Sequence, residues 1–225
     1  MPKKQTYADL GDACATAHAM DVIGDRWSMV IARELMLGPR RFAELASAVV
    51  GITPAVLTAR LRALQDSGVV EQVDGPGRTA YRLTEWGQGL EHVMSALGRW
   101  AQQSPGFPVP EGRMTPDGAI VAMRTMAPYA TITDWSEGPI RLAIELHDER
   151  RPAAAVRRYR LRWDQDRFAL TEGADDDPAT TVSGDSSAWA EVVFGGAPVD
   201  DMSVEGDRRA VERVAAAYGS LGKPA

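Results

Sequence analysis

The sequence predicts an α+β chain of two domains: a largely helical N-terminal domain that includes a β-hairpin, then an αβ domain built on an antiparallel sheet. Three observations lead there. Apolar residues recur at helical spacing through most of the stretch from Trp27 to Ala101, whereas strand-period alternation dominates the runs around Ile140–Leu146 and Tyr159–Trp163. Between them, Ser104 to Pro116 carries four prolines and two glycines with no apolar period, the composition of a semi-rigid linker. The domains are therefore placed at 1–103 and 117–225, joined by a linker at 104–116.

The bulk properties agree with two folded domains. At 225 residues, with 44% hydrophobic and 25% charged residues, the chain has an ordinary globular composition. With no secretory h-region and no long apolar run, a cytoplasmic location without membrane contact is expected. Cys14 is the one cysteine, which excludes an intramolecular disulfide and a cysteine-built zinc site. The net charge of −6 argues at first against a nucleic-acid partner, but residues 1–104 carry 11 basic and 11 acidic side chains, so the whole excess lies in the second half.

In the first half, Trp27, Val30, Ile31 and Leu35 give a helix closed by Gly38-Pro39, and Phe42, Leu45, Ala46 and Val49 give a second. Thr53-Pro54 then supplies an N-cap hydroxyl and a proline at the first helical position. Leu57, Leu61 and Leu64 share one face of that third helix, and Gly68 ends it. The second and third helices, joined by a short Gly51-containing break, form a helix-turn-helix candidate. Val69–Val73 and Thr79–Leu83, joined by Asp74-Gly75-Pro76-Gly77-Arg78, read as a hairpin wing. Thr84 caps a further helix with an apolar stripe of Leu90, Val93, Met94, Leu97 and Ala101, which requires a partner.

With the leucines of the third helix facing inward, Ala55, Thr58, Ala59 and Arg62 face outward and Arg60 lies on the flank. Such a face suits the major groove of double-stranded DNA: arginine reads guanine acceptors, threonine reaches a base or phosphate, and alanines allow close approach to thymine methyls. Thr53, Arg40 and Arg41 are expected at the backbone, and Arg78 at a minor groove or phosphate. An amphipathic helix with two arginines is by itself an ordinary solvated helix; the ordered series of helix, glycine turn, Thr-Pro-started helix and basic hairpin tip is what points to DNA.

The second half opens with an apolar segment (Ile120, Met123, Met126, Ala127). Strands follow at Ile140–Leu146, Tyr159–Trp163, Phe168–Leu170, Thr180–Val182 and Met202–Val204, and helices at Ser186–Phe194 and Asp207–Tyr218. Arg158, Arg160 and Arg162 alternate with the apolar residues of the second strand as a solvated face. His18, His92 and His147 are scattered and no phosphate-binding glycine loop occurs, so no catalytic residue, cofactor or metal is expected, and the chain is not read as an enzyme.

Cys14 through Ala101 resembles the HxlR family of winged-helix regulators, relatives of the MarR type. The residues that carry this are Val22–Trp27 (VIGDRW), Gly38–Leu45 (GPRRFAEL), Gly51–Leu61 (GITPAVLTARL) and Tyr81–Gly87 (YRLTEWG). The resemblance implies a homodimer formed through the first helix and the helix after the wing. It would act on a pseudo-palindromic operator with half-sites about 10 bp, or a multiple, apart. In the family a second Gly and a Lys usually stand where this chain has Asp25 and Arg26, and the wing is commonly longer. Cys14 matches an N-terminal cysteine that in some members senses electrophiles or oxidants; the competing reading is a buried, inert thiol.

Asp177 to Tyr218 resembles the closing part of sterol-carrier-protein type-two-like domains, on Ala179–Asp185 (ATTVSGD), Trp189, Gly195-Gly196 and Val204–Asp207 (VEGD). That resemblance implies an apolar effector held by Trp135, Trp163, Phe168, Trp189 and Phe194, for which ordinary core packing is the alternative. The function expected is a dimeric, effector-modulated transcriptional regulator. Its competitors are a regulator whose second domain is purely structural, and a lipid carrier that uses its winged helix only for interaction.

Overall fold

A computed structural model describes residues 5–75, 78–107, 112–175 and 178–219. The chain divides into two compact units, Met1–Glu91 and His92–Ala225.

The first unit contains α1 (Ala15–Ile23), α2 (Ser28–Leu35), β1 (Arg40–Arg41), α3 (Phe42–Ala48), α4 (Pro54–Asp66), β2 (Val70–Gly75), β3 (Arg78–Leu83) and α5 (Glu85–Gln88). Its antiparallel sheet runs β1-β3-β2, with Arg40 opposite Tyr81 and Val70 opposite Leu83. Ile31, Leu35, Leu45, Leu57, Leu61, Leu64 and Leu83 are all buried in one core. Each such side chain contributes about 2 kcal/mol by leaving water, so the leucine face of α4 fixes which way its other face points. Thr84 Oγ1 donates to the Gly68 carbonyl at 2.7 Å and accepts the Gly87 N–H at 3.0 Å, stapling the hairpin base to α5. At Gly87 a Cβ would stand 2.1 Å from the Val69 carbonyl oxygen, so only glycine lets this helix sit against the hairpin.

The single helix expected after Thr84 is broken at Gly89 into α5 and α6 (Leu90–Ala101). Nearly all of α6 belongs to the second unit, so the division falls ahead of it rather than in the segment 104–116, part of which (108–111) lies outside the described residues. The physical reason is a pair of small residues. Ser95 Oγ donates to the Thr125 carbonyl at 2.5 Å, and a Cβ on Gly98 would touch Met126 Cε at 3.6 Å, so α6 packs closely on α7 (Pro116–Met126).

The rest of the second unit comprises β4 (Ile140–His147), β5 (Arg157–Trp163), β6 (Phe168–Glu172), β7 (Thr180–Asp185), α8 (Ser186–Ala190) continued by a π-turn at Glu191–Gly195, β8 (Ser203–Gly206) and α9 (Arg208–Gly219). The sheet order is β6-β5-β4-β7-β8. It is antiparallel as expected except at its centre, where β4 and β7 are parallel. The chain reaches β7 only after the β5–β6 hairpin has closed one edge, and enters it in the direction of β4.

Helices α7, α8 and α9 cover one face of this sheet, burying Ile140, Leu142, Ile144, Leu146, Tyr159 and Leu161. The opposite face is open and carries Arg141, Arg158 and Arg160. Beneath α7, Tyr159 donates to Asp117 Oδ1 at 2.6 Å, and Arg157 bridges Asp117 and Glu172. No described helix is long and apolar enough to cross a membrane.

Candidate nucleic-acid interface

The outward face of α4 is set by how the helix begins. Thr53 has extended backbone angles and its hydroxyl accepts the Val56 N–H at 3.4 Å, with Pro54 at the first helical position. From that start, burial of Leu57, Leu61 and Leu64 leaves Thr53, Ala55, Ala59 and Arg62 exposed and Thr58 half-exposed. Thr58 turns its hydroxyl back to the Pro54 carbonyl at 2.9 Å, so its proton is engaged within the helix and its methyl and oxygen lone pair are what it offers outward. Arg41 is exposed at the start of α3, where its N–H is capped by Glu44 at 2.6 Å.

One of the arginines read from the sequence lies elsewhere than expected, and another has a partner the sequence did not show. Arg40, expected on phosphate, is only 8% exposed, because β1 pairs with β3 and turns this side chain into the protein. Arg60, expected on the flank, is half-buried with its Nε 3.4 Å from Asp25. Asp25 also accepts the N–H groups of Trp27 (2.8 Å) and Ser28 (3.2 Å) and the Ser28 hydroxyl. One carboxylate thus caps the entrance to α2 and ties it to α4. For Arg78, the side chain is outside what is described, as is the wing tip Pro76-Gly77; the β2–β3 register carries the backbone as far as Gly75 opposite Arg78.

Cys14 is exposed, not buried. It occupies the N-cap position of α1, where the backbone N–H groups of Ala17 and Thr16 hold its thiol below the usual range. Asp12 Oδ1 accepts the Cys14 N–H at 2.8 Å.

The five aromatic residues expected to line an effector pocket do not line one together. Trp163 stands edge-on to Phe168 (5.1 Å) and Tyr218 (5.8 Å), and Phe194 to Tyr218 (5.6 Å), so three of them fill space against one another and against the tyrosine near the end of the last helix. Tyr218 is itself anchored by its hydroxyl on the Met123 carbonyl at 2.8 Å. Trp189 is wholly buried, its indole N–H 3.2 Å from Met123 Sδ. Trp135 lies apart, beneath the Arg213 guanidinium, and shares with Trp163 an open groove at the end of the sheet.

Of the scattered histidines, His147 is brought near Glu149 and Asp185, with ligand atoms within 4.8 Å of one another. Asp185 there already accepts backbone N–H groups from Ser187, Ala188 and Glu149.

Comparison with known proteins bears on the first half of the chain. The family described as HxlR-like helix-turn-helix matches residues 22–106. An uncharacterised HTH-type transcriptional regulator of Mycobacterium tuberculosis is 37% identical over 101 residues, which are 44% of this chain and 62% of the relative. This chain therefore spans less than two thirds of that relative's length. The HTH-type transcriptional regulator YodB of Bacillus subtilis is 35% identical over 88 residues, 38% of this chain and 79% of the relative. The reduced form of YodB is a similar solved structure, with 31% identity, coverage of 44% of this chain and 98% of that one, and a TM-score of 0.38. The four sequence segments around Trp27, Phe42, Thr53 and Thr84 thus form the helices, capped turn and hairpin base of the first unit, and the chain belongs to the HxlR family of helix-turn-helix regulators.

Proposed function

We propose that the protein is a DNA-binding transcriptional regulator that acts in the cytoplasm as a homodimer on a pseudo-palindromic operator, with α4 as its recognition helix. The observation that carries this is the outer face of α4. Ala55, Ala59 and Arg62 are exposed on a helix whose opposite face is locked by three buried leucines, and Arg41 is exposed at the start of the supporting helix. Small residues flanking an arginine allow a helix to enter the major groove and reach base edges. The dimer contact is assigned to α1 and α6. On α6, Val93, Leu97 and Trp100 are exposed, Trp100 at 74%, more than a lone exposed side chain explains; on α1, taken by itself, Met20 is exposed.

The second unit, whose five-stranded sheet is covered on one face by three helices, is assigned a sterol-carrier-like fold and an effector-binding role. A second regulatory input is favoured by the exposure of Cys14 and its lowered thiol pKa, which suit an electrophile- or oxidant-sensing thiolate. The test is fluorescence anisotropy of the full chain on its own upstream DNA at several salt concentrations. Saturable, salt-sensitive binding with one dimer per site is expected. Absence of binding at low salt by an intact dimer overturns the proposal.

A further inference from the structure

The second unit carries an open groove of about 560 Å³ where β4 begins and β5 ends, within the size range of small-molecule sites. Trp135 and Trp163 line it together with Arg141, Arg162 and Arg167. In the β4–β5 register Arg141 stands directly opposite Arg162, an arrangement in which like charges repel. Only one of the two is neutralised: Arg162 pairs with Asp175. Arg141 is exposed and, like the Arg167 guanidinium, has no ion-pair partner among the described residues. Of the two aspartates at the groove, Asp164 is committed to its own turn, accepting the N–H groups of Asp166 (3.0 Å) and Arg167 (2.8 Å), and Asp166 stands exposed at the hairpin tip.

The tryptophan side is built to hold its position. Arg213 of α9 donates to the carbonyls of Asp134 (3.2 Å) and Gly138 (3.0 Å) while its guanidinium lies 5.6 Å from the Trp135 ring centre. The loop that carries Trp135 is thereby pinned from behind. Trp163 is 8% exposed, so it offers an edge while its body packs in the aromatic core.

From this geometry we propose that the groove binds an aromatic carboxylate, its ring against Trp135 and the Trp163 edge and its carboxylate on Arg141, assisted by Arg167. Planar rings gain most from tryptophan walls, and the guanidinium fork matches a carboxylate in two parallel hydrogen bonds. The groove is open and half polar in its lining, so it does not enclose an alkyl chain, and a long-chain lipid is the poorer occupant. Assigning regulation to this ligand rests on the effector role proposed above; the binding itself does not.

The experiment is calorimetric titration of the full chain with naphthoate, with its neutral analogue naphthalene methanol and with palmitate. It is run on the wild type and on Arg141→Gln, Trp135→Leu and Arg160→Gln, the last on the same open sheet face but outside the groove. Saturable naphthoate binding is expected, weakened about tenfold by Arg141→Gln or by removing the ligand's charge, and unchanged in Arg160→Gln. Trp135→Leu weakens naphthoate and naphthalene methanol alike. Absence of naphthoate binding, equal binding by Arg141→Gln, an equal loss in Arg160→Gln, or tighter binding of palmitate overturns the proposal. Repeating the operator titration with naphthoate present separates the two ideas. Ligand bound without any change in DNA affinity refutes the effector role and leaves the site standing, whereas DNA bound normally with no naphthoate binding refutes the site alone.

Discussion

Arg62 and Arg40 were equal candidates for DNA contact in the sequence, and the structure separates them into two different experiments. Arg62 is exposed on α4, so truncating it to alanine should leave folding stability within about 0.5 kcal/mol, the usual range for a surface change. If it contacts a base or phosphate, each half-site should lose about 1–3 kcal/mol, and a dimer on two half-sites about twice that, so affinity falls about 30-fold at the low end. A phosphate contact would also lower the slope of log K against log salt by about 0.9 per half-site, whereas a base contact would leave the slope and relax sequence preference. Arg40 is only 8% exposed and engaged in an interaction, so Arg40→Ala should instead cost about 1–3 kcal/mol of stability, with the salt slope unchanged in the fraction that stays folded. Anisotropy titrations at four salt concentrations and urea unfolding of both variants decide between them. Unchanged affinity and slope in Arg62→Ala, together with a reduced slope in Arg40→Ala, would refute the assignment of the recognition face.

Three further outcomes are expected. Asp25→Ala should lose about 1 kcal/mol in urea unfolding, because it removes the cap at the entrance to α2, and Asp25→Asn should recover most of it. Alkylation of Cys14 by iodoacetamide should show its pH midpoint lower in the folded chain than in urea, since the N–H groups of Ala17 and Thr16 favour the thiolate only when α1 is formed. Burial pushes the Asp185 carboxyl up, but the N–H groups of Glu149, Ser187 and Ala188 and the nearby His147 more than offset this and hold it below its ordinary value. Its stabilisation is therefore complete at neutral pH and is lost as pH falls through about 4 and then through the lower folded value; Asp185→Asn should flatten that acid limb, as followed by thermal melts from pH 3 to 7.

What could be read in the first unit was whatever depends on neighbours in sequence. The Thr53-Pro54 start, the leucine face of α4, the hairpin and the Thr84 cap are all decided within a few residues, and each stands where its local chemistry puts it. Arg40 was misplaced because its burial depends on a partner far along the chain, a two-residue strand pairing with Tyr81 and Ala80, and the tie of Arg60 to Asp25 was likewise invisible in local sequence. The same limit explains α6. Its apolar stripe was plain, but the contact that assigns the helix to the second unit runs through Ser95 and Gly98, which a search for hydrophobic periodicity passes over.

The aromatic residues of the second unit show why sequence alone does not separate a pocket wall from a packed core. A tryptophan packed in a core and a tryptophan lining a cavity have the same sequence neighbours, and what distinguishes them is whether the facing volume is already filled. Here it is filled by Tyr218, which sits at the centre of the contacts with Trp163 and Phe194 and is held there by Met123. The charged residues carry the opposite lesson. Arg141, Arg158, Arg160 and Arg162 look equivalent as a solvated face, yet pairing with Glu145 and Asp175 neutralises Arg158 and Arg162 and leaves Arg141 at the groove mouth with its charge unspent. Among the described residues, Trp163 both lines that groove and packs edge-on against Phe168 and Tyr218 of the buried aromatic cluster. If ligand binding is coupled inward through Trp163, a Trp163→Phe variant should still bind naphthoate, with Trp135 emission reporting the binding, but lose any naphthoate-dependent change in operator affinity.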